Sequence, residues 1–127
     1  MESLIIYETP STPKIIFDKK ANKFEISGNS LPEDVLDCFS PVLKWINEYT
    51  KSPNPVTIID IKLIYFNSAS SKAILDLLNM LEPLIEKGFK IEVNWFYLEM
   101  DEDMLAMGQE FSGLLKIPFN FISYVQE

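Results

Sequence analysis

Five consecutive residues, Asn67 to Ser71 (NSASS), carry three hydroxyl groups directly after an apolar run in this chain. Hydroxyls become nucleophiles when a neighbouring base activates them, and histidine is the usual base. The chain contains no histidine, and all eleven of its basic residues are lysine. A row of hydroxyls without a base suits a group that is modified by another protein better than a catalytic centre.

Phosphorylation is the modification that this position would tolerate. The run Val56 to Tyr65 predicts a buried strand, and the apolar spacing after Ser71 predicts a helix, so Ser68 should lie at a helix N-terminus. A phosphoryl group there would add about −2 charge at the positive end of the helix, near Lys72. Without an arginine to hold it against the chain, the phosphate should point outward and act on a partner. The same residues are also typical of an ordinary serine-rich helix cap, so the residues alone leave both interpretations open.

The elements that position this turn follow from hydrophobic periodicity. Short apolar runs bounded by turn residues predict strands at Lys14 to Asp18, Lys23 to Ser27, Val56 to Tyr65, Lys90 to Leu98 and after Pro118. Apolar residues spaced three and four apart predict helices after Gly28 to Glu33, after the serine-rich turn and after Asp101. The N-terminal residues Met1 to Pro13 are interpreted as an ordinary N-terminal segment, because no basic region precedes a hydrophobic one there.

The resulting order, β-β-α-β-α-β-α-β, predicts an α/β fold with a mixed β-sheet of four or five strands and about three helices packed on it. The nearly continuous apolar positions of Val56 to Ile64 predict a central strand covered on both faces. Ser30 and Glu33 have the spacing of a capping box for the first helix, and Pro41 should kink or restart that helix. Pro83 should bend the last turn of the second helix, which ends at Lys87-Gly88.

Composition excludes several classes of function. A net charge of −8 would repel nucleic acid and anionic lipid, and no apolar run is long enough to span a membrane. One cysteine, Cys38, leaves no internal disulfide and fits a reducing cytoplasm. Cys38 is interpreted as a small core residue, and the carboxylates Asp101 to Asp103 as a helix start. We therefore expect a single cytoplasmic domain over residues 1–127, with no nucleic-acid partner, no membrane, no metal and no cofactor.

The segment IIDIKLIYFNSASSKAILDLL, which spans residues 58–78, resembles the strand–turn–helix of STAS domains, the fold of anti-sigma-factor antagonists. By position, Ser68 corresponds to the phosphorylatable serine of those domains. Asn67 replaces their aspartate, and Ser70 stands where they carry a glycine. The resemblance implies a STAS-like fold for the whole chain.

The sequence is more similar to the SiaC family of bacterial regulatory phosphoproteins. Six short motifs carry this resemblance in order along the chain: STP at 11–13, GNSLPE at 28–33, YFNSASS at 65–71, Trp95 with Tyr97, Glu110-Phe111 and Pro118-Phe119. The resemblance implies a partner-switching protein that a dedicated kinase phosphorylates and a PP2C-type phosphatase restores. It further implies that the unmodified form binds and activates a diguanylate cyclase and promotes biofilm formation.

The resemblance identifies Ser68 as the phosphoacceptor. Asn67 would shape the turn, Ser70, Ser71 and Lys72 would line the helix entry, and Tyr65 and Phe66 would contribute apolar contact with the partner. Two alternatives stay open: a constitutive protein-interaction module in which Ser68 is only a helix cap, and a small enzyme that uses Asn67, the serines and an acid. The absence of histidine and of a glycine-rich phosphate loop argues against the enzyme.

Overall fold

The computed structural model describes residues 1–126; Glu127, the last residue of the predicted domain, lies outside them. Residues 1–126 form six strands and four helices. The strands are β1 (Leu4–Ile6), β2 (Lys14–Asp18), β3 (Lys23–Ser30), β4 (Val56–Phe66), β5 (Lys90–Leu98) and β6 (Phe119–Tyr124). The helices are α1 (Val35–Tyr49), α2 (Ser68–Leu81), the single turn α3 (Pro83–Glu86) and α4 (Glu102–Leu114).

All six strands belong to one mixed sheet with the order β1-β2-β3-β4-β5-β6. β1, β2 and β3 pair antiparallel, whereas β3, β4, β5 and β6 pair parallel. The mixed α/β architecture and the central place of β4 are confirmed. The predicted number of strands is too low, because the N-terminal segment adds β1 to the edge of the sheet.

The helices cover one face of the sheet, so the predicted cover on both faces of β4 is wrong. Thr57, Ile59, Ile61 and Leu63 are buried, whereas Ile58 on the opposite face is 38% exposed. The cause lies in the strand order. Each parallel crossover moves one strand further in the same direction, and right-handed crossovers that all move in one direction place their helices on the same face.

The face of the sheet that the helices leave uncovered carries polar side chains that form hydrogen bonds with one another. Asn94 donates to the Asp60 carboxylate over 2.9 Å, and Asn120 donates to the Asn94 side-chain carbonyl over 3.0 Å. The Lys62 ammonium lies 4.4 Å from the centre of the Tyr124 ring. This face therefore mixes apolar and polar side chains, as expected of a sheet surface in water.

The start of α1 differs from the predicted capping box. β3 continues to Ser30, whose side chain is buried, and the N-cap is Asp34, which accepts a hydrogen bond from the Asp37 N–H. Ser30 cannot cap α1 because it pairs with Phe66 in the sheet. The helix also runs through Pro41 without a restart, while the predicted second helix divides at Pro83 into α2 and α3.

Trp95 is the largest fully buried side chain, and it fixes α4 on the sheet. Its indole N–H donates to the Met104 carbonyl over 2.9 Å, and its ring meets Phe111 edge to face. Gly108 makes this close approach possible, because a Cβ atom at that position would lie 2.5–2.8 Å from the indole. The packing of α4 therefore depends on one tryptophan and one glycine.

Gly108→Ala should destabilise the protein by about 1–3 kcal/mol, because the indole or the helix must move to admit the methyl group. Gly113→Ala is the matched control, since Gly113 lies in the same helix with no atom within 4 Å of its added Cβ. The control should be neutral or stabilising by up to about 1 kcal/mol through helix propensity. Urea unfolding of the three proteins measures both effects. Equal stability of the two variants would contradict this account of the packing.

Candidate functional site

Ser68 is the first residue of α2, at the edge of the sheet where the parallel strands end. Open α/β sheets place their functional residues at this edge. Asn67, and not Ser68, is the N-cap of the helix, and its side-chain carbonyl accepts the Ser70 N–H over 2.9 Å. Ser68 is exposed, and no hydrogen bond involves its hydroxyl among the described residues. The interpretation of Ser68 as the helix cap is therefore wrong, because Asn67 already fills that role.

A buried pair of serines holds this turn from below. The Ser30 hydroxyl donates to the Ser70 hydroxyl over 2.7 Å, and the Ser70 hydroxyl donates to the Ser30 carbonyl over 3.0 Å. The same carbonyl accepts the Asn67 N–H over 3.1 Å. Both serine side chains are fully buried, so their hydrogen bonds are shielded from water. The end of β3 thus fixes the start of α2, where Ser68 lies.

The other predicted residues of the turn differ in their surroundings. Tyr65 is 65% exposed, whereas Phe66 is half-buried and meets the Trp95 ring edge to face at 6.2 Å. Ser71 is half-buried, and its N–H donates to the Asn67 carbonyl over 3.0 Å. The Lys72 ammonium pairs with Asp76 over 3.3 Å, one turn further along the helix from Ser68.

Two features beside Ser68 could accommodate a phosphoryl group. Within residues 1–126, the N–H groups of Ser68 and Ala69 donate to no acceptor, as is usual for the first turn of a helix. A cavity of about 180 Å³ adjoins the Ser68 side chain, lined also by Phe66, Asn67, Ser71 and Met107. The turn therefore presents an accessible hydroxyl, free backbone donors and open space at one point.

The prediction of Cys38 as a core residue is only partly correct, because its side chain packs against the core without being fully buried. The interpretation of Asp101 to Asp103 as a helix start is confirmed. Cys38 is half-buried on α1, and burial together with the nearby Asp37 carboxylate raises the pKa of its thiol. A raised pKa reduces the reactive thiolate at neutral pH. Asp101 is the N-cap of α4 and accepts the Met104 N–H over 3.0 Å, as expected for a helix start. Residues 1–126 contain no cluster of three or more potential metal ligands among Cys, Asp and Glu.

Ser30 and Met107 are the site residues that the sequence interpretation missed. Ser30 lies in the GNSLPE motif, but its spacing to Glu33 suggested a capping box instead of a contact with the serine-rich turn. Met107 belongs to the apolar face of α4, and nothing in its local pattern indicates that it reaches the Ser68 cavity.

The profile of the SiaC family, described as regulatory phosphoproteins, matches residues 6–124 of the chain. The chain belongs to the SiaC family. An uncharacterised protein of Pseudomonas aeruginosa (strain UCBPP-PA14) is 30% identical over 119 residues, which cover 94% of each chain.

Solved structures agree with this assignment. SiaC of Pseudomonas aeruginosa is 28% identical and superimposes with a TM-score of 0.88, covering 98% of this chain and 100% of the other. A chain in the crystal structure of the diguanylate cyclase SiaD in complex with its activator SiaC, from the same organism, is 29% identical with a TM-score of 0.89. That match covers 95% of this chain and 99% of the other. Within residues 1–126, no helix combines the length and the apolar composition needed to cross a membrane.

Ser70→Ala should destabilise the protein by about 1–3 kcal/mol, because it leaves the buried Ser30 hydroxyl without a partner. Ser68→Ala is the matched control in the same turn, and it should change stability by less than about 0.5 kcal/mol because that hydroxyl is exposed. Urea unfolding monitored by tryptophan fluorescence compares the two variants. If Ser70→Ala were as stable as Ser68→Ala, the buried serine pair would not be what holds the turn.

Proposed function

We propose that the protein is a phosphorylation-controlled activator in which the unmodified form binds and activates a diguanylate cyclase. Phosphorylation of Ser68 by a protein kinase would release the cyclase, and a PP2C-type phosphatase would restore binding. The observation that carries this proposal is the exposed Ser68 hydroxyl, presented on a turn that Asn67 caps and the buried pair of Ser30 and Ser70 supports.

The relatives support the identity of the partner. The family is one of regulatory phosphoproteins, and one matching structure holds SiaC as the activator of the diguanylate cyclase SiaD. The match spans nearly the full length of both chains, which supports the proposal that the surface SiaC presents to its partner has a counterpart here. We infer that this chain acts in the cytoplasm, in cyclic-di-GMP signalling that controls biofilm formation, on a STAS-like scaffold.

Electrostatics support release by phosphorylation. A phosphate on Ser68 would lie at the positive end of α2, beside the free N–H groups of Ser68 and Ala69, so the fold would tolerate it. Lys72, one turn along, is already paired with Asp76. The chain has no arginine to neutralise the dianion, so the charge would remain at the surface and oppose the approach of an apolar partner.

A binding role fits the site better than catalysis does. The three hydroxyls of the turn have no histidine to activate them, and Ser70 is buried in a hydrogen bond to Ser30. The constitutive interaction module is the second candidate. A constitutive module would use the same binding surface. It would, however, give no role to the Ser68 hydroxyl, which is accessible and does not cap the helix.

Ser68→Ala should bind the diguanylate cyclase as the wild type does, whereas Ser68→Asp should bind much more weakly. An uncompensated charge in an interface costs several kcal/mol, or on the order of a hundredfold or more in Kd. Ser68→Ala should remain folded because it removes only an exposed hydroxyl. Ser68→Asp should also remain folded, because an exposed acidic side chain suits the first turn of a helix. Calorimetric titration measures Kd, and thermal melts confirm folding.

Ser52→Asp is the matched control, since it adds the same charge at an exposed serine that precedes β4, at the opposite edge of the sheet from Ser68. It should bind as the wild type does. Equal affinity of Ser68→Asp and the wild type would reject the switch and favour the constitutive module.

A further inference from the structure

An apolar groove lies next to Ser68, between the end of β4 and the first two turns of α4. Its volume is about 220 Å³, and its apolar walls are Ile64, Tyr65, Phe66, Met104 and Met107. Phe66 and Met107 also line the cavity that adjoins Ser68. The groove and the Ser68 cavity are therefore neighbours that share two side chains.

A β-bulge turns two successive side chains of β4 outward at this groove. Gly28 pairs with Leu63 and Asn29 pairs with Tyr65, so Ile64 is an extra residue in the ladder. Ile64 is 43% exposed and Tyr65 is 65% exposed. A bulge of this kind commonly re-aims side chains beside a functional site. Here it leaves an aliphatic and an aromatic side chain in water, where a partner could cover them.

The rim of the groove is acidic. Asp101 and Asp103 lie along it, and none of its lining residues is basic. Asp101 uses one carboxylate oxygen to cap α4, while Asp103 is exposed. The ion pairs within residues 1–126 use other carboxylates, namely those of Glu25, Glu48, Asp76, Glu86 and Glu92. The negative charge of the rim is thus not neutralised by a lysine of the described chain.

We propose, resting on the proposed function, that the cyclase inserts an apolar side chain into this groove and places a lysine or arginine beside it, against Asp101 and Asp103. The apolar walls select the inserted side chain, and the acidic rim selects the adjacent cation. The overall charge of −8 attracts the same kind of segment from a distance.

The position of the groove also accounts for the effect of phosphorylation. The Ser68 cavity shares Phe66 and Met107 with the groove, so a phosphoryl group would place a strongly hydrated dianion next to the apolar contact. Closing the interface would then require removal of water from that dianion. Phosphorylation therefore acts on the groove itself, and no change of fold is needed.

Two pairs of matched variants test the groove. Ile64→Ser removes an apolar wall, and Ile58→Ser is its control, because Ile58 is 38% exposed on the same strand away from the groove. Asp103→Lys reverses a rim charge, and Glu110→Lys is its control, because Glu110 is an exposed acid of α4 that does not line the groove. Thermal melts of all four variants establish that each is folded.

The probe is a purified diguanylate cyclase from the source organism, namely the one that the unmodified wild type binds most tightly. Each variant is titrated against it by calorimetry at low and at high salt. Ile64→Ser and Asp103→Lys should each weaken binding by about tenfold or more, while both controls stay within about twofold of the wild type. Wild-type affinity should fall as salt rises, and Asp103→Lys should flatten that dependence.

The two proposals fail in different ways. If Ser68→Asp weakens binding but Ile64→Ser and Asp103→Lys bind as their controls do, the proposal that the cyclase docks in the groove is wrong. The proposed switch at Ser68 is then retained. If the wild type binds no diguanylate cyclase, the proposed function is wrong and the groove proposal, which names that partner, is overturned with it.

Discussion

One backbone carbonyl, that of Ser30, connects the end of β3 to the start of α2. It accepts the Asn67 N–H and the Ser70 hydroxyl, while the Ser30 hydroxyl donates back to Ser70. Ser30 and Ser70 are fully buried, so losing a hydrogen bond between them would leave a buried polar group without a partner. The geometry of the turn, the exposure of Ser68 and the free N–H groups beside it all depend on this small network.

α4, which lines the other side of the Ser68 cavity through Met107, is held in place by Trp95. Trp95 holds the first turn of α4 through its hydrogen bond to the Met104 carbonyl, and Gly108 lets the helix approach the indole. Phe66 packs against the same indole, so the residue that precedes the turn rests on the same anchor as α4. The Trp95 indole therefore supports both the residue that precedes the turn and the helix that faces it.

Local patterns were sufficient for much of the secondary structure. The strands Lys14–Asp18 and Lys90–Leu98 have the predicted bounds, because alternation and turn residues are properties of adjacent positions. The acidic start of α4 was also predicted correctly, since helix capping is a local effect. β1 was missed because a three-residue strand carries too little pattern and forms by pairing with β2.

Properties that depend on tertiary contacts could not be predicted from the sequence. The open face of β4 follows from the direction of the crossovers, which the apolar run Val56 to Ile64 does not encode. Ser30 had a plausible local role as a cap, but its pairing with Phe66 and its bond to Ser70 exist only in the folded sheet. Family resemblance indicated Ser68 as the acceptor, whereas its accessibility beside a capping Asn67 required the structure.

The most direct test is cyclic-di-GMP synthesis by the partner diguanylate cyclase with the chain carrying either serine or phosphoserine at position 68. The proposed function predicts that the unmodified chain raises the rate of synthesis and that the phosphoserine form does not. Equal melting temperatures of the two forms establish that both are folded. Equal activation by the two forms would contradict the central claim that phosphorylation of Ser68 controls the interaction.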